Sequence, residues 1–198
     1  LGIPSDPAAA AQVLLHGAVV PTDLGRAGDR WFCTVANAGL DALVAKAARR
    51  SMLPGTLGYL AAVLQQLPRW HGVPLRLTGD FGVIEERLTL VAVGNTAAYG
   101  AGMHIVPPAS PRDGRFHLCV VAHAPRHRLL RLLPTVYRGN HVHRPEVRVL
   151  VTREVLIEGA EPVEIWGDGE RLGEAPLRLQ AVPAAVRVLA PPPARRPP

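Results

Sequence analysis

The residues with the most chemical scope in this sequence are acids set beside glycine at the ends of apolar runs. Gly167-Asp168-Gly169-Glu170 directly follows the run Val163 to Trp166. If that strand continues, Asp168 and Glu170 project to one face, about 6 to 7 Å apart at the usual rise per residue. Two carboxylates so placed repel, which raises the pKa of one, and a divalent cation would offset both. Such a pair suits metal work or removal of a proton from a hydroxyl. The same four residues also spell an Asp-Gly hairpin turn with exposed acids, the plainer reading when they are taken alone. In Ser110-Pro111-Arg112-Asp113-Gly114, Asp113 either caps a turn or joins backbone carbonyls around a hard cation, and the turn is again plainer. Asp23, in Thr22-Asp23-Leu24-Gly25, stands at a strand end, where loops deliver functional side chains, although a simple turn acid is the commoner use.

Other motifs carry less. On a strand, His141-Val142-His143 would place both imidazoles on one face, a spacing some metal sites use, but no third ligand is near in sequence and a surface or loop role is expected. Asp80-Phe81-Gly82 has the letters of a protein-kinase motif without the other signatures, and reads as a turn. The loop containing Asn95, Gly100 and Gly102 has neither GxGxxG nor Walker A spacing, so the chain carries no recognisable nucleotide site. Cys33 and Cys119 lie in apolar runs without CxxC spacing and are expected to be buried free thiols.

Short elements must position these residues. Asp6 caps and Gly17 stops a helix that begins at Pro7. Ala18 to Leu24 and Arg30 to Ala36 read as strands, Asp41 opens a helix ending near Arg50, and a second helix is expected over Thr56 to Leu67 with a core stripe of Leu57, Leu60, Ala61, Leu64 and Leu67. Val73 to Leu77 and Glu86 to Val93 predict a hairpin around Asp80 to Gly82. Phe116 to Ala122 predicts a strand and Arg126 to Arg138 a helix closed by Gly139. Val147 to Thr152, Val155 to Glu158, Val163 to Trp166, Leu177 to Val182 and Val186 to Leu189 supply further strands. Strands outnumber helices and follow one another, so the expected fold is α+β and mainly β, an antiparallel β-sandwich-like domain with several packed helices. That domain is expected over residues 1–190, with residues 191–198 a disordered Pro/Arg-rich tail.

At 198 residues with 48% hydrophobic content the chain can bury one sizeable core. No apolar run reaches the roughly 18 to 20 residues that span a bilayer, and the N-terminus lacks signal-peptide order, so a cytoplasmic protein is expected. Leu1 is not a start methionine, so an element of a larger protein is expected upstream. The net charge is +6. Lys46 is the single lysine, and the abundance of Arg, Ala and Pro points to GC-rich coding, which weakens arguments from total charge. Arg126, His127, Arg128, Arg131, Arg138, His141, His143 and Arg144 still gather a basic stretch that would meet phosphate headgroups, or form a solvated helix face. Nucleic-acid binding is disfavoured, because aromatic residues are only 5% and are not interleaved with that stretch.

Taken in order, these segments resemble the second domain of soluble bacterial diacylglycerol kinases and the related lipid kinases that include sphingosine kinases. Thr22-Asp23-Leu24-Gly25 resembles the V-D-x-G strand, and Phe32 to Asp41 the strand and glycine turn that follow. Asn95 to Ala109 with Asp113 to Leu118 resembles the N-x-x-x-x-G-G-x-x-x-x-P-x-A and D-G-x-[LF]-[DT]-[LV] segments. Arg138-Gly139-Asn140-His141 is similar to R-G-x-H, Asp168-Gly169-Glu170 to D-G-E, and Leu1 to Pro4 to the stretch after G-T-x-N-D-[FL]-A-R. The resemblance implies Glu170 as general base for a lipid hydroxyl, Asp23 as a water-mediated holder of catalytic Mg²⁺, and Asp168 as a neighbouring polar or metal-linked group. It further implies a structural magnesium held by Asp113 with the backbone carbonyls of Ser110 and Arg115. ATP is the implied co-substrate, bound mainly by an N-terminal domain whose G-G-D-G-T motif has no counterpart here, so the chain alone is expected to be inactive. A lipid substrate, an anionic membrane surface met peripherally and a second copy of the chain in a homodimer are the expected partners. The contrasting expectation is a non-catalytic lipid-binding or interaction module on the same fold.

Overall fold

In the computed structural model, residues 2–48, 55–100 and 102–191 are described. Four helices and eleven strands follow one another: α1 Pro7–His16, β1 Ala18–Ala27, β2 Arg30–Phe32, β3 Val35–Gly39, α2 Leu40–Ala48, α3 Gly55–Gln66, β4 Val73–Gly79, β5 Gly82–Gly94, β6 Phe116–Ala122, α4 Arg126–Val136, β7 Val147–Thr152, β8 Glu154–Gly159, β9 Glu164–Gly167, β10 Glu170–Glu174 and β11 Leu177–Ala190. Every strand pairing is antiparallel, in the order β10-β9-β3-β5-β4-β8-β11-β1-β2, with β6 and β7 branching from β5. The expected mainly-β, antiparallel sandwich-like architecture is what forms.

Alternation along the central strands builds two cores. Val91, Val93, Phe116, Leu118 and Val120 enter an interior cluster with Phe32, Leu75, Leu77, Ile157, Ile165 and Leu179. Their neighbours Ala92, Cys119 and Val121 face the other way, against Leu40, Val44, Ala62, Val63, Leu129 and Leu132 of the helical layer. Strands buried on both faces read as continuous apolar runs, which is why β5 and β6 are plain in the sequence. Phe32 stacks on Phe116 with centroids 5.6 Å apart. Gly25 lies beneath the Phe32 ring, and a Cβ there would come within 2.1 Å of its Cζ, so the glycine of Thr22-Asp23-Leu24-Gly25 is needed for this close approach.

Several expectations change. The strand predicted over Arg30 to Ala36 breaks at Cys33-Thr34, where the chain leaves β1 for β5 and β9. Leu177 to Val182 and Val186 to Leu189 are one strand, β11, interrupted by a register shift opposite Thr22 to Leu24 and by Ala184 at φ 51°. In α3 the buried side chains include Ala62 and Val63, while Ala61 and Leu64 are exposed; the helix is apolar nearly all round, so periodicity does not select its inner face. The side chains of Leu57 and Leu60 are not described, and the end of α2 near Arg50 and the tail from residue 192 onward fall outside the described residues. α1 has its expected N-cap, the Asp6 carboxylate accepting from the Ala9 N–H at 2.7 Å. No helix among the described residues is long and apolar enough to cross a membrane.

Candidate functional site

The β9–β10 hairpin turns on Asp168 and Gly169, both with positive φ (52° and 83°), between the paired residues Gly167 and Glu170. This is the two-residue turn that Asp-Gly favours. The strand therefore does not run through Asp168 to Glu170, and the one-face spacing expected of a continuous strand does not apply. Asp168 instead turns back on the chain. Its carboxylate accepts from the Cys33 N–H and the Thr34 hydroxyl, and from the Thr34 N–H at 3.0 Å. Those amides belong to the break between β2 and β3, so one acid both causes the break and joins the sheet's two ends, β10 and β2. Glu170 is exposed, and its carboxylate has no hydrogen bond or ion pair among the described residues. It borders a cleft of about 370 Å³ with Arg30, Trp31, Gly167, Asp168 and Leu172. At the other end of β9, Lys46 bonds to Glu164 at 3.1 Å and draws its carboxyl below the usual range, with a second, smaller lowering from the Trp166 indole.

Asp23 is buried. Its Oδ1 accepts from the Ala184 N–H at 2.8 Å and its Oδ2 from the Gly114 N–H at 2.7 Å, while its own N–H donates to the Pro111 carbonyl at 2.8 Å. The β11 bulge and the Ser110–Gly114 turn are thus both built on this carboxylate. Asp113 makes a tight turn of its own: Oδ1 accepts from the Arg115 N–H and Oδ2 contacts His117 Nε2, both at 3.0 Å. Asp23 and Asp113 share a depression of about 610 Å³ with Arg112, Arg115 and Arg153.

Asn95 connects the two halves, a role the sequence reading did not assign. Its side-chain amide donates to the Asp23 and Cys33 carbonyls, each at 2.8 Å, and its own N–H donates to the Thr34 carbonyl. One polar seam thus runs from the Ser110–Gly114 turn through Asp23, Asn95 and Cys33-Thr34 to Asp168, ending two residues short of Glu170. The available signal was a polar residue closing the apolar run of β5. Tyr99, whose hydroxyl donates to Asp41 at 2.7 Å, was also missed.

The two histidines do not share a face. They lie in a 3-10 turn, Asn140–His143, rather than a strand, and His141 is buried while His143 is exposed. His141 Nε2 meets the Ile105 carbonyl at 2.9 Å, and burial lowers its pKa, opposed by that bond. Of the surface or loop role expected, the loop part holds for both and the surface part for His143 alone: packing takes the His141 ring inside, where it ties down the Asn95 to Ser110 loop. Cys33 is exposed, against expectation, because the chain break lifts it from the sheet; burial of its thiol and then the Asp168 charge raise its pKa. Cys119 is buried as expected, and its thiol is pushed up to about 12. Asp80 sits in the β4–β5 turn, accepting from the Arg153 N–H at 2.9 Å.

The donors implied for a cation at Asp113, its carboxylate and the carbonyls of Ser110 and Arg115, are all oxygen, which is the chemistry magnesium takes. Each Asp113 oxygen has a single hydrogen-bond partner, which leaves each with capacity for another ligand. These residues fit the ion. Among the described residues no three His, Cys, Asp or Glu side chains group as metal ligands, so such a site relies on backbone carbonyls.

Comparison with known proteins places this geometry among relatives. Residues 34–190 match the family described as YegS C-terminal NAD kinase beta sandwich-like domain. A Mycobacterium tuberculosis protein named diacylglycerol kinase is 37% identical over 96% of this chain, and one of that name from Staphylococcus carnosus is 26% identical over 96%. The chain spans about 64% of the length of the first and 63% of the second. A solved structure described as a diacylglycerol kinase from Bacillus anthracis strain Sterne superposes with a TM-score of 0.69 at 18% identity, covering 96% of this chain and 61% of that one.

Proposed function

The chain belongs to the YegS C-terminal NAD kinase beta sandwich-like domain family, and from that premise we propose that it forms the acceptor side of an ATP- and magnesium-dependent lipid kinase acting on diacylglycerol or a similar lipid. The observation that carries this reading is Glu170, an unpartnered carboxylate at a cleft, on a hairpin that Asp168 anchors to the opposite end of the sheet. As the lipid oxygen bonds to the γ-phosphorus of ATP and the bond to ADP breaks, Glu170 takes the hydroxyl proton. Asp168 is a positioning residue in this scheme. Its three accepted hydrogen bonds hold the turn, and misplacement of about 1 Å costs about 100-fold in rate.

Magnesium, when bound, would offset the phosphate charge and brace the Ser110–Arg115 turn. Asp113 with the carbonyls of Ser110 and Arg115 would hold the structural ion. Asp23, whose two oxygens each accept one amide, would reach a catalytic ion through water. The chain offers no phosphate-cradling motif, so alone it turns over no ATP. In this scheme the protein works from the cytoplasm and meets its lipid at the membrane surface.

The test is a chimera that joins the leading third of the Mycobacterium tuberculosis relative to this chain, assayed for lipid phosphorylation with ATP and Mg²⁺. Turnover that Glu170→Gln lowers about 100- to 10,000-fold supports the proposal. Lipid binding by a folded chimera without turnover would support the non-catalytic module instead, and turnover by the isolated 198 residues would overturn the claim that this chain is inactive alone.

A further inference from the structure

α4 is arranged against its own stability. Arg126, His127 and Arg128 occupy its first turn, where the helix dipole disfavours positive charge, and that turn holds no acid and has no side-chain cap. Leu129 and Leu132 anchor the inner face. At 100° per residue, His127 and Arg131 fall on the side opposite, and both are exposed, as is Arg138 in the turn that follows the helix. Leu130 and Tyr137, seven residues apart on one flank, are 41% and 37% exposed. No Asp or Glu occurs between Asp113 and Glu146, and Glu146 pairs with Arg128 alone, at 3.3 Å. Arg126, Arg131, Arg138 and Arg144 have no acidic partner among the described residues. The surface therefore combines at least four unneutralised arginines with protruding apolar side chains.

We infer that α4 and the turn after it dock this domain onto an anionic lipid surface. The arginines meet lipid phosphates, and Leu130 and Tyr137 enter the boundary between headgroups and acyl chains. The apolar flank selects a membrane over nucleic acid, whose phosphates would leave Leu130 in water. The helix is also tied to the site. The His104 N–H donates to the Val136 carbonyl at 3.2 Å and His141 meets the Ile105 carbonyl, so docking holds the loop that runs from Asn95 to the Ser110–Gly114 turn. This inference rests on the reading that the acceptor is a lipid, and it names the surface from which that lipid is taken.

The test is co-sedimentation of the chain with phosphatidylcholine vesicles, with and without phosphatidylglycerol, at low and physiological salt. Binding is expected only to the anionic vesicles and is expected to weaken with salt. The triple variant Arg126→Gln/Arg131→Gln/Arg138→Gln should bind about 100-fold more weakly, about fivefold per charge, and should melt no lower than the parent, since a charge opposing the helix dipole has been removed. Leu130→Ser should weaken binding severalfold without changing charge. Arg26→Gln/Arg178→Gln/Arg187→Gln, which removes the same charge from β1 and β11, should leave binding unchanged. No preference for anionic vesicles, equal loss in both triple variants, or full displacement by duplex DNA at physiological salt would overturn the inference. The kinase reading is tested apart from it: turnover of a soluble short-chain lipid by the chimera does not require docking, and docking by the isolated chain does not require turnover.

Discussion

Two stretches of polar residues in this domain are used in opposite ways. In the seam from Asp23 through Asn95 to Asp168, the carboxylates and the side-chain NH2 of Asn95 are occupied by backbone partners. At the hairpin tip and along α4, Glu170 and several arginines have no partner among the described residues. Groups of the first kind hold the sheet's irregularities in place: the β11 bulge, the Ser110–Gly114 turn and the strand break at Cys33. Groups of the second kind contribute little to folding and are left for something outside the chain. Burial and satisfied hydrogen bonds thus separate acids that in the sequence look alike.

The sharpest way to break this contrast is Asp23→Ala. It strands the Ala184 and Gly114 amides inside the protein and removes the acceptor on which two loops are built. Hydrogen bonds to a charged group contribute about 1.5 to 3 kcal/mol each, so a loss of about 4 kcal/mol is expected in urea unfolding. A loss below about 1 kcal/mol would mean that Asp23 is not structural. Asp168→Ala should cost about 2 kcal/mol, less because the turn is exposed and water can replace the lost acceptor. It has a second readout at Cys33. With the second-largest cause of its raised pKa removed, that thiol should alkylate faster at neutral pH, whereas Cys119 should stay inert.

How much of this was legible in the sequence follows from the range of the interactions. Strands β5 and β6, the Asp6-capped α1 and the β4–β5 hairpin rest on neighbours in sequence, and their residue patterns announce them. The break at Cys33-Thr34 is made by Asp168, more than a hundred residues away, and no local pattern marks it. Asp23, Asp113 and Asp168 were legible as positions but not as hydrogen-bond acceptors, because an Asx turn and a buried clamp use the same letters. Asn95 stood out least, although two carbonyls depend on its amide. His141 was misplaced for a related reason: R-G-N-H looks solvent-facing until the loop at Ile105 folds over it.

A smaller effect sharpens the contrast through pH. His141 is held below its ordinary pKa, so the unfolded chain binds more protons there. Its contribution is complete above the unfolded value near 6.5 and is lost as pH falls from there toward the depressed folded pKa. Glu164, with its pKa lowered chiefly by Lys46, acts in the same direction at lower pH, losing its contribution as pH falls through its folded value. Thermal melts should therefore show stability declining below about pH 6.5, and His141→Asn should flatten the upper part of that decline while leaving the lower part. An unchanged profile would place the titration elsewhere.

Glu170 gives the smallest expected change in stability and the clearest separation of the two kinds of acid. Glu170→Gln removes a charge that touches nothing among the described residues, and an exposed site of that kind changes stability by no more than about 0.5 kcal/mol. Glutamine keeps the shape and loses the ability to take a proton, so in the chimera turnover should fall while the KM for lipid stays close to the parent's. Asp168→Asn is the informative companion. Asparagine tolerates the positive φ of the turn and keeps one oxygen acceptor, so turnover should fall less than in Glu170→Gln, with a measurable loss of stability. If Glu170→Gln instead destabilised the fold as much as Asp168→Asn, the carboxylate at the tip would belong with the seam, and the base would have to be sought elsewhere on the cleft.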